Sequence, residues 1–208
     1  MRFLFQQYRD LRTNWEPSGL GYEVWRTSGA FLILIFLGYL PCSIFPNLLD
    51  TVMDTIQTMF AAADVYTEDG GISAVALFSN NVSACFMTVL YGLVPFLTLP
   101  AFSLGLNAML LGVVAAYYVS EGQSLVLYLA GILPHGIFEL PALVLSIACG
   151  LLLCSRNSRR LKAKQDTQTT SGGLSQVAQV FLLLILPLLA LAALAEAYLT
   201  PWVMGLFS

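Results

Sequence analysis

Apolar residues in this chain do not alternate with polar ones; they gather into five long runs separated by short polar turns. The runs cover about 29–45, 74–94, 100–119, 125–154 and 174–199. Each is too long for a strand, and a segment crossing lipid must satisfy its own backbone hydrogen bonds, so each predicts a membrane-spanning helix. The stretch over about 47–63 is different. Leu49, Val52, Met53, Ile56, Met59 and Phe60 recur at helical spacing, while Asp50, Asp54, Gln57 and Thr58 face the other way. That pattern predicts an amphipathic helix lying at the outer interface. The fourth run would be about 45 Å long as a straight helix, against a hydrocarbon core of about 30 Å. Pro134 and Gly136 inside it predict a break, with a short half-helix followed by a longer one. The expected fold is an all-α polytopic bundle of one transmembrane domain over 29–208, preceded by a polar segment over 1–28.

Composition sharpens this. Of 208 residues, 58% are hydrophobic and only 10% are charged, against roughly 25% charged in soluble domains. A soluble enzyme, a nucleic-acid binder and a disordered tail are excluded on that ground, since no polar surface is left to build them. The lipid bilayer is the one partner that composition demands, and no nucleic acid is expected. The first 28 residues are too polar for a cleavable signal peptide. Cys42, Cys85, Cys149 and Cys154 all lie in or at the ends of apolar runs without a CxxC, and read as core thiols.

The basic residues set the orientation. Arg2, Arg9, Arg12 and Arg26 precede the first run, and Arg156, Arg159, Arg160, Lys162 and Lys164 share one linker over about 155–173. Basic residues flanking spans mark the cytoplasmic side. Five spans then place the N-terminus inside, the interfacial helix outside, the basic linker inside and the C-terminus outside. The inverted arrangement breaks the rule at both clusters.

Polar groups within such runs need a reason. Asn80, Asn81, Asn107, His135, Glu139 and Glu196 are the candidates, and in this topology all six fall in the outer half. One shared, outward-opening cluster is the economical arrangement. His135 and Glu139 stand four residues apart on one helical face, beside the carbonyl that Pro134 frees. Together with Glu196 they are the candidate metal ligands. Plainer readings stand beside these: hydrogen-bonding glue between helices for the asparagines, a structural clasp for the His–Glu pair, and solvation for Glu196. Ala101, Gly105, Ala108, Gly112 and Ala116 form a stripe of small residues that predicts the third span as the buried centre, or else a homodimer seam.

The segments FSNNVSACF, LGLNAMLLG, LPHGIFELPALVLSIACGLLL and LAALAEAYLTP, in that order, resemble the stage II sporulation protein M family of bacterial membrane proteins. PHGxxExPA is the most specific piece, and the resemblance runs over about 74–201. It implies a five-span protein of the bacterial cytoplasmic membrane. In sporulating bacteria the named member works with a peptidoglycan-degrading partner and a second membrane protein, as a scaffold in cell-wall remodelling. Most relatives come from bacteria that form no spores, so the name does not assign a process. Three functions are compatible with these residues, in order of preference. A scaffold recruiting membrane or cell-wall-remodelling proteins is first. A transporter or channel for protons, cations or a small solute is second, because broken helices at mid-membrane mark such sites. An intramembrane hydrolase is third, since there is no HExxH and no nucleophile visibly paired with His135. No cofactor is expected.

Overall fold

A computed structural model of the chain describes residues 19–61, 73–163 and 170–207. Residues 1–18, 62–72, 164–169 and 208, which include the expected polar turn and part of the expected linker, lie outside the described residues. The elements run α1 (Leu20–Ile44), α2 (Pro46–Ala61), α3 (Ala74–Tyr91), α4 (Pro100–Ser120) and α5 (Leu125–Ala163). Three more helices, α6 (Thr170–Val180), α7 (Leu186–Leu194) and α8 (Thr200–Met204), join through two π-helical turns into the last span. Among the described residues five helices, counting that composite as one, are long and apolar enough to cross a membrane. The protein is an all-α bundle. Its outer face carries Leu32, Ile33 and Phe36 of α1, Phe102 of α4 and Ile137 of α5, large apolar side chains that are all exposed. Lipid is the solvent such a surface requires.

α1 starts at Leu20, well before the expected position 29, so part of the polar leader is helix. The charges it brings in are compensated locally. Arg26 Nη1 lies 3.6 Å from Glu23 Oε2, and the Arg26 guanidinium sits 5.7 Å from the centroid of the Tyr22 ring. α2 is amphipathic as its spacing predicts: Leu49, Met53 and Ile56 are buried while Asp50, Asp54 and Thr58 are exposed. Its apolar face does not simply rest in the interface. It packs on Val113 and Ala116 of α4 and Cys42 of α1.

Two expectations fail at α5. The helix is not broken: it runs through Pro134 and Pro141 for 39 residues. Proline removes one N–H donor, and in a bundle the neighbouring helices hold the backbone in line despite that loss. The excess length, about 58 Å against about 30 Å of hydrocarbon, goes instead into turns that stand clear of the apolar core. Those turns carry Arg156, Arg159, Arg160 and Lys162, so the first part of the expected linker is helical. The second failure concerns the centre of the bundle. The most apolar stretch of α5 is 61% buried, against 33% in α4, and α5 packs on α1, α3, α4 and all three helices of the last span. The small-residue stripe of α4 is split in two. Ala108, Gly112 and Ala116 are buried, whereas Ala101 is exposed and Gly105 faces open space.

The last span shows why its prolines matter. Leu186 N–H bonds to Phe181 O, and Thr200 N–H bonds to Ala195 O. Both are wide, five-residue closures, and each falls one residue before a proline, Pro187 or Pro201. A wider turn relieves the clash between the proline ring and the preceding turn's carbonyl.

Candidate functional site

His135 and Glu139 stand one turn apart on α5, with His135 Nε2 3.9 Å from Glu139 Oε2. Opposite them, the π turn Ala195–Leu199 carries Glu196. One ligand atom from each of His135, Glu139 and Glu196 lies within 4.8 Å of the other two. All three are half-buried. Thr200, just past the π turn, closes the group, its Oγ1 3.2 Å from His135 Nδ1. With the proton on Nδ1, that nitrogen donates to Thr200 and Nε2 turns a lone pair toward the carboxylates. With the proton on Nε2, the Thr200 hydroxyl donates to Nδ1 instead. His135 lies about 15 Å along α5 from its Leu125 end, roughly half the hydrocarbon thickness.

Three of the six expected polar residues therefore converge. Asn107 Nδ2 donates to Ser103 O on its own helix at 2.9 Å, Asn81 is half-buried and Asn80 is exposed. None shares a hydrogen bond with the cluster among the described residues. Apolar patterning does not single out Thr200. The signal for it is its place four residues after Glu196, on the same helical face.

Thr200, His135 and Glu139 have the connectivity of a nucleophile, base and orienting acid. The surroundings lack what acyl transfer needs. Thr200 N–H is spent on Ala195 O and Pro201 has no N–H, so neither supplies an oxyanion donor beside the hydroxyl. A second carboxylate, Glu196, belongs to the same group, and its negative charge would oppose a developing oxyanion. The group is better suited to holding a cation.

A second concavity lies at the far end of the bundle. It is an open cleft of about 610 Å³ between α1, the α3–α4 loop and the end of α5, lined by Glu23, Arg26, Thr98, Ser155 and Arg159. Glu23 is 7% exposed and its Oε2 accepts no hydrogen bond, but Arg26 supplies its counter-charge.

The family model described as Stage II sporulation protein M matches residues 27–201. That match begins in α1, well before the motifs over 74–201 that carry the resemblance in the sequence. An uncharacterized protein of Methanocaldococcus jannaschii is 29% identical over 126 residues, covering 61% of this chain and 70% of the relative. That relative is archaeal. No solved structure matches.

Proposed function

The chain belongs to the stage II sporulation protein M family, and from that premise we propose that it is a scaffold of the bacterial cytoplasmic membrane that recruits cell-wall-remodelling proteins. One observation carries this reading above transport: the bundle interior is filled. Ala142, Ser146, Ile147, Ala148 and Cys149 of α5, and Ile185, Leu189 and Ala192 of the last span, are all 0% exposed. These residues occupy the turns directly inward of the His–Glu–Glu cluster. Interiors packed this tightly transmit position and resist deformation, which suits a protein that holds others in place. The N-terminus is cytoplasmic and the C-terminus outside in this proposal, with the basic end of α5 available to cytoplasmic partners.

Transport of protons, cations or a small solute is the second reading, favoured by the convergence of three ionisable side chains at mid-membrane depth. The two readings separate in one pair of measurements. Photo-crosslinking from exposed Trp202 and Lys162 in living cells should capture a peptidoglycan hydrolase or its membrane partner. Purified protein in proteoliposomes should carry no proton or cation flux above empty vesicles. Flux that disappears in Glu139→Gln would replace the scaffold with the transporter.

A further inference from the structure

We propose that His135, Glu139 and Glu196 hold a divalent first-row transition ion, of the Zn²⁺ type, that clamps α5 to the last span. The inference stands on the cluster itself and does not depend on the scaffold reading. Its starting point is charge. Two carboxylates converge within 4.8 Å of an imidazole nitrogen at a depth where an unpaired charge costs several kcal/mol. Among the described residues the basic side chains are Arg26, Arg156, Arg159, Arg160 and Lys162. Those on α5 lie about 30–40 Å from His135 along the continuous helix, and Arg26 lines the cleft at that same far end. No basic side chain of the described bundle neutralises the pair. A bound cation does.

The donor set selects the kind of cation. One imidazole and two carboxylates are hard and borderline ligands together, which suits Zn²⁺ and disfavours Ca²⁺ or Mg²⁺, whose sites are built from oxygen alone. Tetrahedral coordination at about 2.0–2.2 Å asks for ligand atoms about 3.3 Å apart. His135 Nε2 and Glu139 Oε2 are at 3.9 Å, so modest side-chain rotation closes the set. Thr200 supplies the outer contact that metal-bound histidines need: accepting from Nδ1–H, it leaves the Nε2 lone pair for the ion. Three protein ligands leave a fourth position for water.

The last span also departs from α-helical geometry at Ala195–Leu199, where it carries Glu196. An inserted residue rotates the C-terminal part of a helix by about 100° relative to the N-terminal part. Glu196 and Thr200, four residues apart as on any helical face, both reach the group from this re-aimed segment, Thr200 at Nδ1 of His135. π turns recur at sites where side chains must converge in this way.

The test uses the full chain in detergent, equilibrated with Zn²⁺ and passed over a desalting column. Metal analysis should find about one Zn²⁺ per chain, and a chelator should lower the unfolding temperature. His135→Gln, Glu139→Gln and Glu196→Gln should each weaken binding at least about tenfold, with helix content retained. Should a variant not fold, X-ray absorption on the wild-type zinc centre should show nitrogen and oxygen neighbours at about 2.0–2.2 Å. Zinc retained equally by the triple Gln variant, or sulfur neighbours at about 2.3 Å, would overturn the assignment. No zinc in a folded wild type would mean that the carboxylates share protons, and would overturn it too.

Discussion

Gly112 of α4 lies directly against the backbone of Ile35 in α1, with no room for a side chain between the two helices. A Cβ at Gly112 would meet Ile35 O and the Tyr39 amide nitrogen, and one at Gly38 would meet the backbone of Met109. The seam is reciprocal, each glycine receiving the other helix's main chain. Such approaches drive helix association where lipid removes the hydrophobic incentive.

Gly112→Ala should therefore destabilise the bundle by about 1–3 kcal/mol, since rigid backbone cannot yield as a side chain would. Gly105→Ala, two turns earlier on the same helix, meets nothing within 4 Å and should be neutral or slightly stabilising. Thermal unfolding in detergent reads both. Equal effects at the two positions would refute the seam.

The spans were legible because long apolar runs have few alternatives in a membrane. What escaped was decided by packing. The start of α1 was hidden because Glu23 and Arg26 look like a soluble leader until their pairing is seen. Continuity through Pro134 was hidden because a proline breaks an isolated helix but not one held by every other span of the bundle. Small residues on α4 suggested the bundle centre, yet Ala101 and Gly105 turn out to face outward. His135 and Glu139 announced each other by spacing alone. Glu196 and Thr200 come from another span, and only the packing of that span on α5 brings them to the pair.

The loop between α3 and α4 is held in an unfavourable backbone shape. Phe96 has φ 69° and Thr98 has φ 41°, left-handed values costly for residues with a Cβ. Ser158 on α5 holds this loop, its Oγ accepting from Phe96 N–H at 2.8 Å and donating to Cys154 O at 2.7 Å. Ser158→Ala should cost about 0.5–1.5 kcal/mol. Thr98→Gly should be no less stable than wild type in the same unfolding assay, because glycine removes the steric penalty.

Orientation can be read with cysteine probes, since Cys42, Cys85, Cys149 and Cys154 are all buried and give little background. Met204 packs near Gly131 at the start of α5, so the end of the last span and Lys162 lie at opposite ends of the bundle. Lys162→Cys should react only with reagent admitted to the cytoplasm, whereas Glu68→Cys and Phe207→Cys should react from outside. Labelling of Lys162→Cys and Phe207→Cys from one side would end the five-span topology.

Shape and charge can be separated at Glu139. Glutamine keeps the length of the side chain and most of its hydrogen-bonding capacity while deleting its charge. Glu139→Gln should therefore fold, remain monodisperse and recruit partners as the wild type does, though without its bound ion and with a lower unfolding temperature. Leucine is different in kind. It leaves His135 Nε2, 3.9 Å from the Glu139 carboxylate in the native protein, facing a methyl group, at a cost of about 1–3 kcal/mol for the stranded polar atom. Glu139→Leu should fall below Glu139→Gln in stability even when a chelator has stripped the ion from both proteins. Measuring the pair in chelator isolates the polar contribution of the side chain, and measuring it in Zn²⁺ adds that of the bound ion. If Gln and Leu unfold together under both conditions, Glu139 neither clasps His135 nor binds a cation, and the cluster is reduced to a coincidence of placement.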